Sequence, residues 1–446
     1  MPAVSPDTIA AVATPHGVGG IGILRISGPD ARPIGEAISA SRLEPGRVQF
    51  RRFLDAAGEA IDHGLCLYFA APHSYSGEDS VELQAHGGPI VLDMLLERVC
   101  ELGARLARAG EFSERAFLNG RLDLTQAEAV ADLIESGSRA ASRAAMRSLE
   151  GRFSDQILGL VDEVVDLRAY IEAALDFAEE EIDFLGDAAI RERLDDCRAQ
   201  LRQTLAQAEQ GRTLREGLSV SLAGLPNAGK SSLLNALAGY EAAIVTEIEG
   251  TTRDVLREHI SLRGIPLRIN DTAGLRDSDN PVEREGVRRA REEIGKADVV
   301  IYLVDASLGI TPADRQNLAG LNRDNLQLVY SKADLLAESA PREPHGAYIS
   351  TLRGDGMEAL IGRITGQAAD YNQDNQVILA RRRHVDALQR ASEHVEQAGK
   401  ILAESSSGEL MAEELRGAQD HLNQITGEFT SEDLLGKIFS KFCIGK

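Results

Sequence analysis

Ser219-Val220-Ser221-Leu222-Ala223-Gly224-Leu225-Pro226-Asn227-Ala228-Gly229-Lys230-Ser231 decides the fold of this chain. A strand-like run enters G-x-x-x-x-G-K-S, and Leu233, Leu234, Ala236 and Leu237 follow at helical spacing. Strand, glycine-rich turn and helix in that order make a phosphate-binding loop. Glycines let backbone N–H groups curl around phosphate oxygens, Lys230 reaches the outer phosphates, and the Ser231 hydroxyl ligates Mg²⁺. The bland reading is a glycine-rich turn in some other α/β domain, and the following hundred residues decide against it.

Gly250-Thr251-Thr252-Arg253-Asp254 lies where a switch loop supplies a second Mg²⁺ ligand, here Thr252, and senses the terminal phosphate. Leu267-Arg268-Ile269-Asn270 reads as a strand running into Asp271-Thr272-Ala273-Gly274, the place for the metal-side Asp and the Gly that meets the last phosphate. Residues 299–305 and 326–330 are short, apolar and rich in β-formers, as buried parallel strands are. The second ends at Ser331-Lys332-Ala333-Asp334. A carboxylate at Asp334 can accept both N–H donors of guanine's edge, an arrangement adenine does not offer. A guanine-nucleotide domain is expected.

At 446 residues the chain has room for two or three domains. It carries 70 Asp and Glu against 48 Lys and Arg, a net charge of −22. That average field repels a polyanion, so nucleic-acid contact requires a local basic patch or a partner. Four dispersed cysteines without C-x-x-C point to reduced thiols rather than a disulfide framework or zinc site. The opening MPAVSPDTIAAVATP lacks a basic, then apolar, leader, and no apolar run reaches the roughly 18 residues of a membrane span. A cytoplasmic location and no membrane contact are expected.

Residues 1–118 read as an α/β domain, with strands near 7–15, 21–28, 61–70 and 80–88 and a helix over 89–105. The glycines of His16-Gly17-Val18-Gly19-Gly20 do not open a dinucleotide fold, because β-rich Ile21-Gly22-Ile23-Leu24 follows where a helix is needed. Residues 119–215 turn helical; Thr125 with Glu128 fits a capping box, and amphipathic stretches cover 124–151, 153–180 and 188–211. An inserted nucleotide domain over 216–375 follows, and helices resume over 376–446, at 382–405, 409–427 and 431–442. Helical blocks on both sides suggest an insertion into one discontinuous bundle, with two independent bundles as the alternative. Arg139, Arg143 and Arg147 recur every four residues, a basic stripe suited to RNA or equally a solvated face.

DTIAAVATPHGVGGIGILRISG (7–28), FSERAFLNGRLDLTQAEAVADLI (112–134), GLPNAGKSSLLNAL (224–237), EGTTRD (249–254), DTAGLR (271–276) and the terminal FCIGK together resemble the tRNA uridine-5-carboxymethylaminomethyl modification GTPases, the MnmE/TrmE family. The resemblance spans essentially the whole chain. It implies an N-terminal α/β domain that binds a tetrahydrofolate derivative (5,10-methylene or 5-formyl), a discontinuous helical domain, and an inserted P-loop GTPase (Ras-like) domain stimulated by potassium. It further implies a homodimer that, with a flavin-dependent partner, adds a carboxymethylaminomethyl or aminomethyl group at C5 of the wobble uridine of certain tRNAs.

Carried over by motif position, folate contacts fall on Arg25, Glu82, Arg121 and Lys446. The resemblance and the motifs together put GTP on Asn227, Ala228, Gly229, Lys230, Ser231 and Ser232, on the switch residues Thr246, Glu247, Ile248, Glu249, Gly250, Thr251 and Thr252, and on Asp271, Thr272, Ala273 and Gly274. Ser331, Lys332, Ala333 and Asp334 read the base, backed by Ser350, Thr351 and Leu352. The tetrad opens with Ser331 where Asn is expected, which puts a base contact and a brace to the P-loop at risk. Leu275 follows Asp271-Thr272-Ala273-Gly274 where Ras-like enzymes hold a water-orienting Gln, and by resemblance that role passes to Glu283, acting with Lys230. Asn227, Thr246, Ile248 and Thr251 supply oxygens for K⁺, which takes the place of an arginine finger. Two rival functions are a GTPase timer in ribosome assembly and a stand-alone folate-dependent aminomethyltransferase with a regulatory nucleotide domain.

Overall fold

A computed structural model describes residues 7–176, 188–240, 257–263, 265–271, 294–295, 297–321, 325–337, 343, 346–366, 377–404, 407–428, 432–440, 442 and 445. The chain divides into two compact units, one of residues 1–131, 148–201 and 387–446, the other of residues 132–147 and 202–386.

The first unit is built on a six-stranded sheet. In chain order its strands are β1 (Ile9–Val12), β2 (Gly19–Ser27), β3 (Val48–Leu54), β4 (Ala60–Phe69), β5 (Ser80–Gly87) and β6 (Arg105–Leu106), arranged β3-β4-β5-β2-β1-β6. Only the β1–β6 pair is parallel. Alternation is plain on β5: Val81, Leu83 and Ala85 are buried, while Glu82 and Gln84 are half-buried on the opposite face. The buried row packs with helices α1 (Ala31–Ser39) and α2 (Pro89–Glu101) in a core that includes Ile34, Ile38, Phe53, Leu92, Leu95 and Val99.

Helices α3 (Glu111–Leu118), α4 (Leu124–Glu135), α5 (Arg139–Leu149), α6 (Arg152–Asp176) and α7 (Ala188–Glu216) follow. The stretch expected as one helix over 124–151 is thus two. The capping box also shifts. Asp123 accepts from the Gln126 N–H at 2.9 Å, and Gln126 Oε1 accepts from the Asp123 N–H at 3.0 Å. The Thr125 hydroxyl instead bonds Asp123 and Ser154. A carboxylate already at the cap position takes the orphan donor, so Thr125 and Glu128 are left inside the helix. Helix α6 packs along Gly408–Thr426, and Arg168 donates to Gln419 Oε1 at 2.6 Å. The helices before and after the inserted segment therefore pack on one another, which selects the discontinuous bundle over two independent ones.

The second unit holds the other six-stranded sheet: β7 (Leu218–Gly224), β8 (Arg257–Leu262), β9 (Ile265–Asp271), β10 (Val299–Asp305), β11 (Leu326–Ser331) and β12 (Ala347–Tyr348), arranged β12-β11-β10-β7-β9-β8. All neighbours run parallel except the β8–β9 pair. β10 is buried at every interior position, as a strand covered on both faces must be. β7 lies between β10 and β9, so the loop after it opens at the middle of the sheet's C-terminal edge, where open α/β sheets bind ligands. Helix α8 (Lys230–Tyr240) begins there.

Around this sheet, Asp132 accepts from Arg215 Nε and Arg381 Nη2, each at 2.7 Å, clasping three separate chain segments. Arg147 donates through Nε, at 2.9 Å, and Nη2 to the Val377 carbonyl. The expected basic stripe on α5 is therefore reduced to the exposed Arg139 and Arg143, because Arg147 is spent on backbone.

Candidate functional site

The turn after β7 is shaped by backbone that few residues accept. Gly224 has φ +141°, and a Cβ there would lie 2.4 Å from the Leu303 carbonyl oxygen of β10. Asn227 stands at φ +64° and Gly229 at φ +94°; asparagine is among the few side-chain-bearing residues that tolerate the left-handed region. The first intrahelical bond of α8 runs from the Leu233 N–H to the Gly229 carbonyl at 2.9 Å. The N–H groups of the preceding residues form the helix's positive end, a site that suits phosphate. Lys230 Nζ reaches back to donate to the carbonyls of Gly224 at 3.0 Å and Leu225 at 3.1 Å. The ammonium thus lies across the turn it serves. Asn227, Ser231 and Ser232 are exposed, whereas Ala228 is buried.

The C-terminal ends of the neighbouring strands collect beside this turn. Asp271 pairs in register with Leu222, and Ser331 with Asp305. Ser331 is buried, and its hydroxyl donates to the Ala228 carbonyl at 2.6 Å, with the Val304 carbonyl 3.2 Å away. The brace from tetrad to P-loop, held at risk in the absence of Asn, is thus present. Lys332, at φ +54°, pairs through Nζ with Asp305 Oδ2 at 2.7 Å. Burial alone would raise the Asp305 pKa, but the Lys332 ammonium and the Ser307 hydroxyl and N–H bring it below its ordinary value.

Asp334 lies in the short 3₁₀ turn Ala333–Leu335, and Ser350 Oγ donates to its Oδ1 at 2.7 Å. The Ala333 N–H donates to the Ile349 carbonyl at 2.9 Å, binding the tetrad to the loop that carries Ser350, Thr351 and the 88% exposed Leu352. This arrangement leaves Asp334 Oδ2 outside the Ser350 contact while its carboxylate plane is held. Thr246, Glu247, Ile248, Glu249, Gly250, Thr251, Thr252, Thr272, Ala273, Gly274 and Glu283 lie outside the described residues, and of Asp271 only the backbone is described.

A second constellation stands in the first unit. Arg25 on β2 and Glu82 on β5 are register partners, and Arg25 Nε and Nη2 donate to Glu82 Oε1 at 3.0 and 2.9 Å. The guanidinium carbon lies 5.2 Å from the centroid of the Tyr75 ring and 5.8 Å from that of Phe112. The charged pair therefore rests on aromatic surface, a contact that motif reading did not find; Tyr75 sits in a polar loop, Ser74-Tyr75-Ser76-Gly77-Glu78, that carries no periodic signal. Tyr75 OH bonds Ser113 Oγ at 2.7 Å, and burial raises its pKa against the opposing pull of Ser113 and Arg25. Arg121 is exposed and apart from the pair, though the same loop reaches it. A Cβ on Gly77 would lie 3.0 Å from Arg121 Cγ.

The same unit holds an ionic network with buried Arg115 and Glu111 at its centre. Arg115 is 3% exposed and bonds Asp7, Glu78 and Glu111; Arg105 adds bonds to Asp7 and Glu111. Lys446 lies outside the described residues, but Gly445 is placed: at φ +93°, its Cβ would fall 2.5 Å from the Val12 carbonyl oxygen of β1. Ala11, next to Val12, is the register partner of Arg25. Phe439 and Phe442 anchor this end of the chain in a cluster with Phe117, Leu122, Leu124 and Leu435. Among the described residues, no helix is long and apolar enough to cross a membrane.

Two family models match the chain. One, described as GTP-binding protein TrmE N-terminus, covers residues 8–121, and one described as MnmE helical domain covers residues 124–443. The tRNA modification GTPase MnmE of Thiobacillus denitrificans is 51% identical over 441 residues, 99% of this chain and 98% of that protein. That of Acinetobacter baylyi is 51% identical over 447 residues, 98% and 96% of the two chains, and that of Pasteurella multocida 50% over 454 residues, 99% and 100%. With the P-loop turn at the centre of its second sheet, the chain belongs to the MnmE family of tRNA modification GTPases and is a GTP hydrolase.

Proposed function

We propose that this chain hydrolyses GTP with Mg²⁺ and K⁺ while, with a flavin-dependent partner and as a homodimer, it installs a folate-derived one-carbon unit and its amine at C5 of the wobble uridine of certain tRNAs. The observation that carries the folate part is the Arg25–Glu82 pair on its aromatic floor. A carboxylate accepts N–H donors of a pterin, a guanidinium suits anionic groups, and Tyr75 offers ring surface beside them. The donor set fits a reduced folate, which when bound supplies the carbon at its reduced-pterin nitrogen. Arg25 holds Glu82 oriented, and Arg121 and Lys446 serve the acidic tail.

In the nucleotide unit the same reading gives Asp334 the base, Lys230 and the α8 N-terminus the phosphates, and Ser231 with Thr252 the Mg²⁺. Asn227, Thr246, Ile248 and Thr251 hold K⁺, and Glu283 orients the attacking water through a bridging water. The Ser350–Asp334 hydrogen bond supports guanine selection, because it fixes the carboxylate while both oxygens keep lone pairs for the base's two N–H donors.

Nucleoside analysis of bulk tRNA from cells lacking the chain tests the proposal. Loss of the C5-substituted wobble uridine is expected. Unchanged nucleosides with altered ribosome assembly would favour the GTPase timer. Turnover of folate with a small amine but no tRNA would favour the stand-alone transferase.

A further inference from the structure

The open edge of the first sheet holds a cavity of about 500 Å³ that neither site above uses. β3 forms its wall, and Ser41, Phe50, Arg51, Arg52 and His63 are among its lining residues. Arg51 is fixed by two contacts: Nε donates to Ser41 Oγ at 3.0 Å and Nη1 to the Phe50 carbonyl at 2.9 Å. The Ser41 hydroxyl accepts there and keeps its own proton to donate. Arg52, exposed, is the register partner of the exposed His63 on β4. Phe50 is 66% exposed.

Among the described residues neither Arg51 nor Arg52 makes an ion pair, and no carboxylate lines the cavity. Other arginines of this unit are matched, as in Arg32–Glu36, Arg47–Glu44 and Arg98–Glu101. In a chain with a net charge of −22, the cavity thus brings together two arginines with no carboxylate among its lining residues. Helix α1 ends at this cavity, but its C-terminal dipole amounts to about half a charge against two full guanidinium charges. The lining therefore offers two guanidinium groups and no carboxylate.

We infer that this cavity takes a backbone phosphate and the adjoining unstacked base of tRNA. Guanidinium forks and a hydroxyl donor suit phosphate oxygens, and an exposed aromatic ring suits a splayed base. A small free anion would use the arginines but leave the ring without a role. The inference rests on the tRNA reading above and gives this acidic chain a local basic surface for the contact.

The test is tRNA binding by the full-length chain, read by fluorescence anisotropy from about 50 to 200 mM KCl, with Arg52→Glu and Phe50→Ala. Arg52→Glu is expected to weaken binding by about tenfold and lower the slope of log K against log salt by about 1. Phe50→Ala is expected to weaken binding with the slope unchanged, since stacking carries no counterions. Unchanged melting and GTP hydrolysis without tRNA would show both variants folded. Equal affinity and slope in both variants would overturn the inference. So would failure of the unsubstituted chain to bind tRNA, which leaves the modification reading to stand or fall on nucleoside analysis alone. If Arg52→Glu abolishes binding of a polyglutamate peptide but spares tRNA, the cavity serves an acidic protein segment and the inference fails.

Discussion

The hydroxyl of Ser331 donates a 2.6 Å hydrogen bond to the carbonyl of Ala228, joining the base-reading tetrad to the phosphate loop across 103 residues of sequence. Both atoms are buried, so the bond has no water to replace it. Ser331→Ala should cost about 1–3 kcal/mol, the range for a buried polar group left without its partner. Denaturant unfolding and GTP titration of that variant would measure the loss. Equal stability and affinity would show that the brace is incidental.

Selection of guanine is expected to follow Asp334 and its support. A carboxylate accepts from two N–H donors, whereas an amide accepts from one and donates to one, which suits xanthine's edge. Asp334→Asn should therefore move preference from GTP to XTP, and Ser350→Ala should reduce discrimination without inverting it. Competition between the two nucleotides decides this; undiminished GTP preference in Asp334→Asn would remove Asp334 from the base site.

Folate binding should depend on the chain's far end. A Cβ at position 445 would meet the Val12 carbonyl oxygen at 2.5 Å in a backbone conformation that disfavours side chains. Gly445→Ala should thus displace the terminus and weaken 5-formyltetrahydrofolate binding several-fold, and Lys446→Ala should do likewise. GTP binding should be unaffected by both. Calorimetric affinities identical to those of the parent chain would exclude the terminus from the site.

On the proposed assignment of Asn227, Thr246, Ile248 and Thr251 to K⁺, hydrolysis should be faster in KCl than in NaCl at matched ionic strength. Glu283→Ala should lower turnover with little change in nucleotide affinity, the signature of a group acting only in the transition state. Equal rates in the two salts would refute the ion's role, and a fully active Glu283→Ala enzyme the glutamate's.

Acid stability should report on Glu111. Burial alone would raise its pKa, but Arg105, the Arg108 N–H and Arg115 hold it at about 2 against an ordinary 4.5. A folded value below the unfolded one stabilises fully above pH 4.5, and that stabilisation is lost as pH falls towards 2. The linkage is on the order of 3 kcal/mol. Glu111→Gln should be less stable at pH 7, and its melting temperature should fall less between pH 5 and 2. Parallel melting curves for the two proteins across that range would contradict the assignment.

The clearest elements in the sequence were those whose causes are local. The P-loop turn needs left-handed backbone at fixed positions and a helix start immediately after, and both requirements are written in consecutive residues. The long helices were equally plain, since a repeating apolar stripe specifies them without reference to partners. Elements that depend on neighbours were missed. Helix α1 was not expected: its Pro33 falls in the first turn, and Gly35 is packed closely against Leu43 and Val81. In β3, Arg51 and Arg52 interrupt the apolar alternation because an edge strand can leave such side chains to solvent or a cavity.

By itself, then, the sequence determined the strand–loop–helix chemistry of the nucleotide unit and the helical blocks around it, because backbone conformation and periodicity are short-range properties. Tertiary structure alone decided which distant polar groups meet. Arg25 faces Glu82 through strand register, Ser331 reaches Ala228 through the order of parallel strands, and Gly445 meets Val12 through the packing of Phe439 and Phe442. Register and strand order arise from burying many apolar side chains at once, and no short stretch of sequence carries that sum.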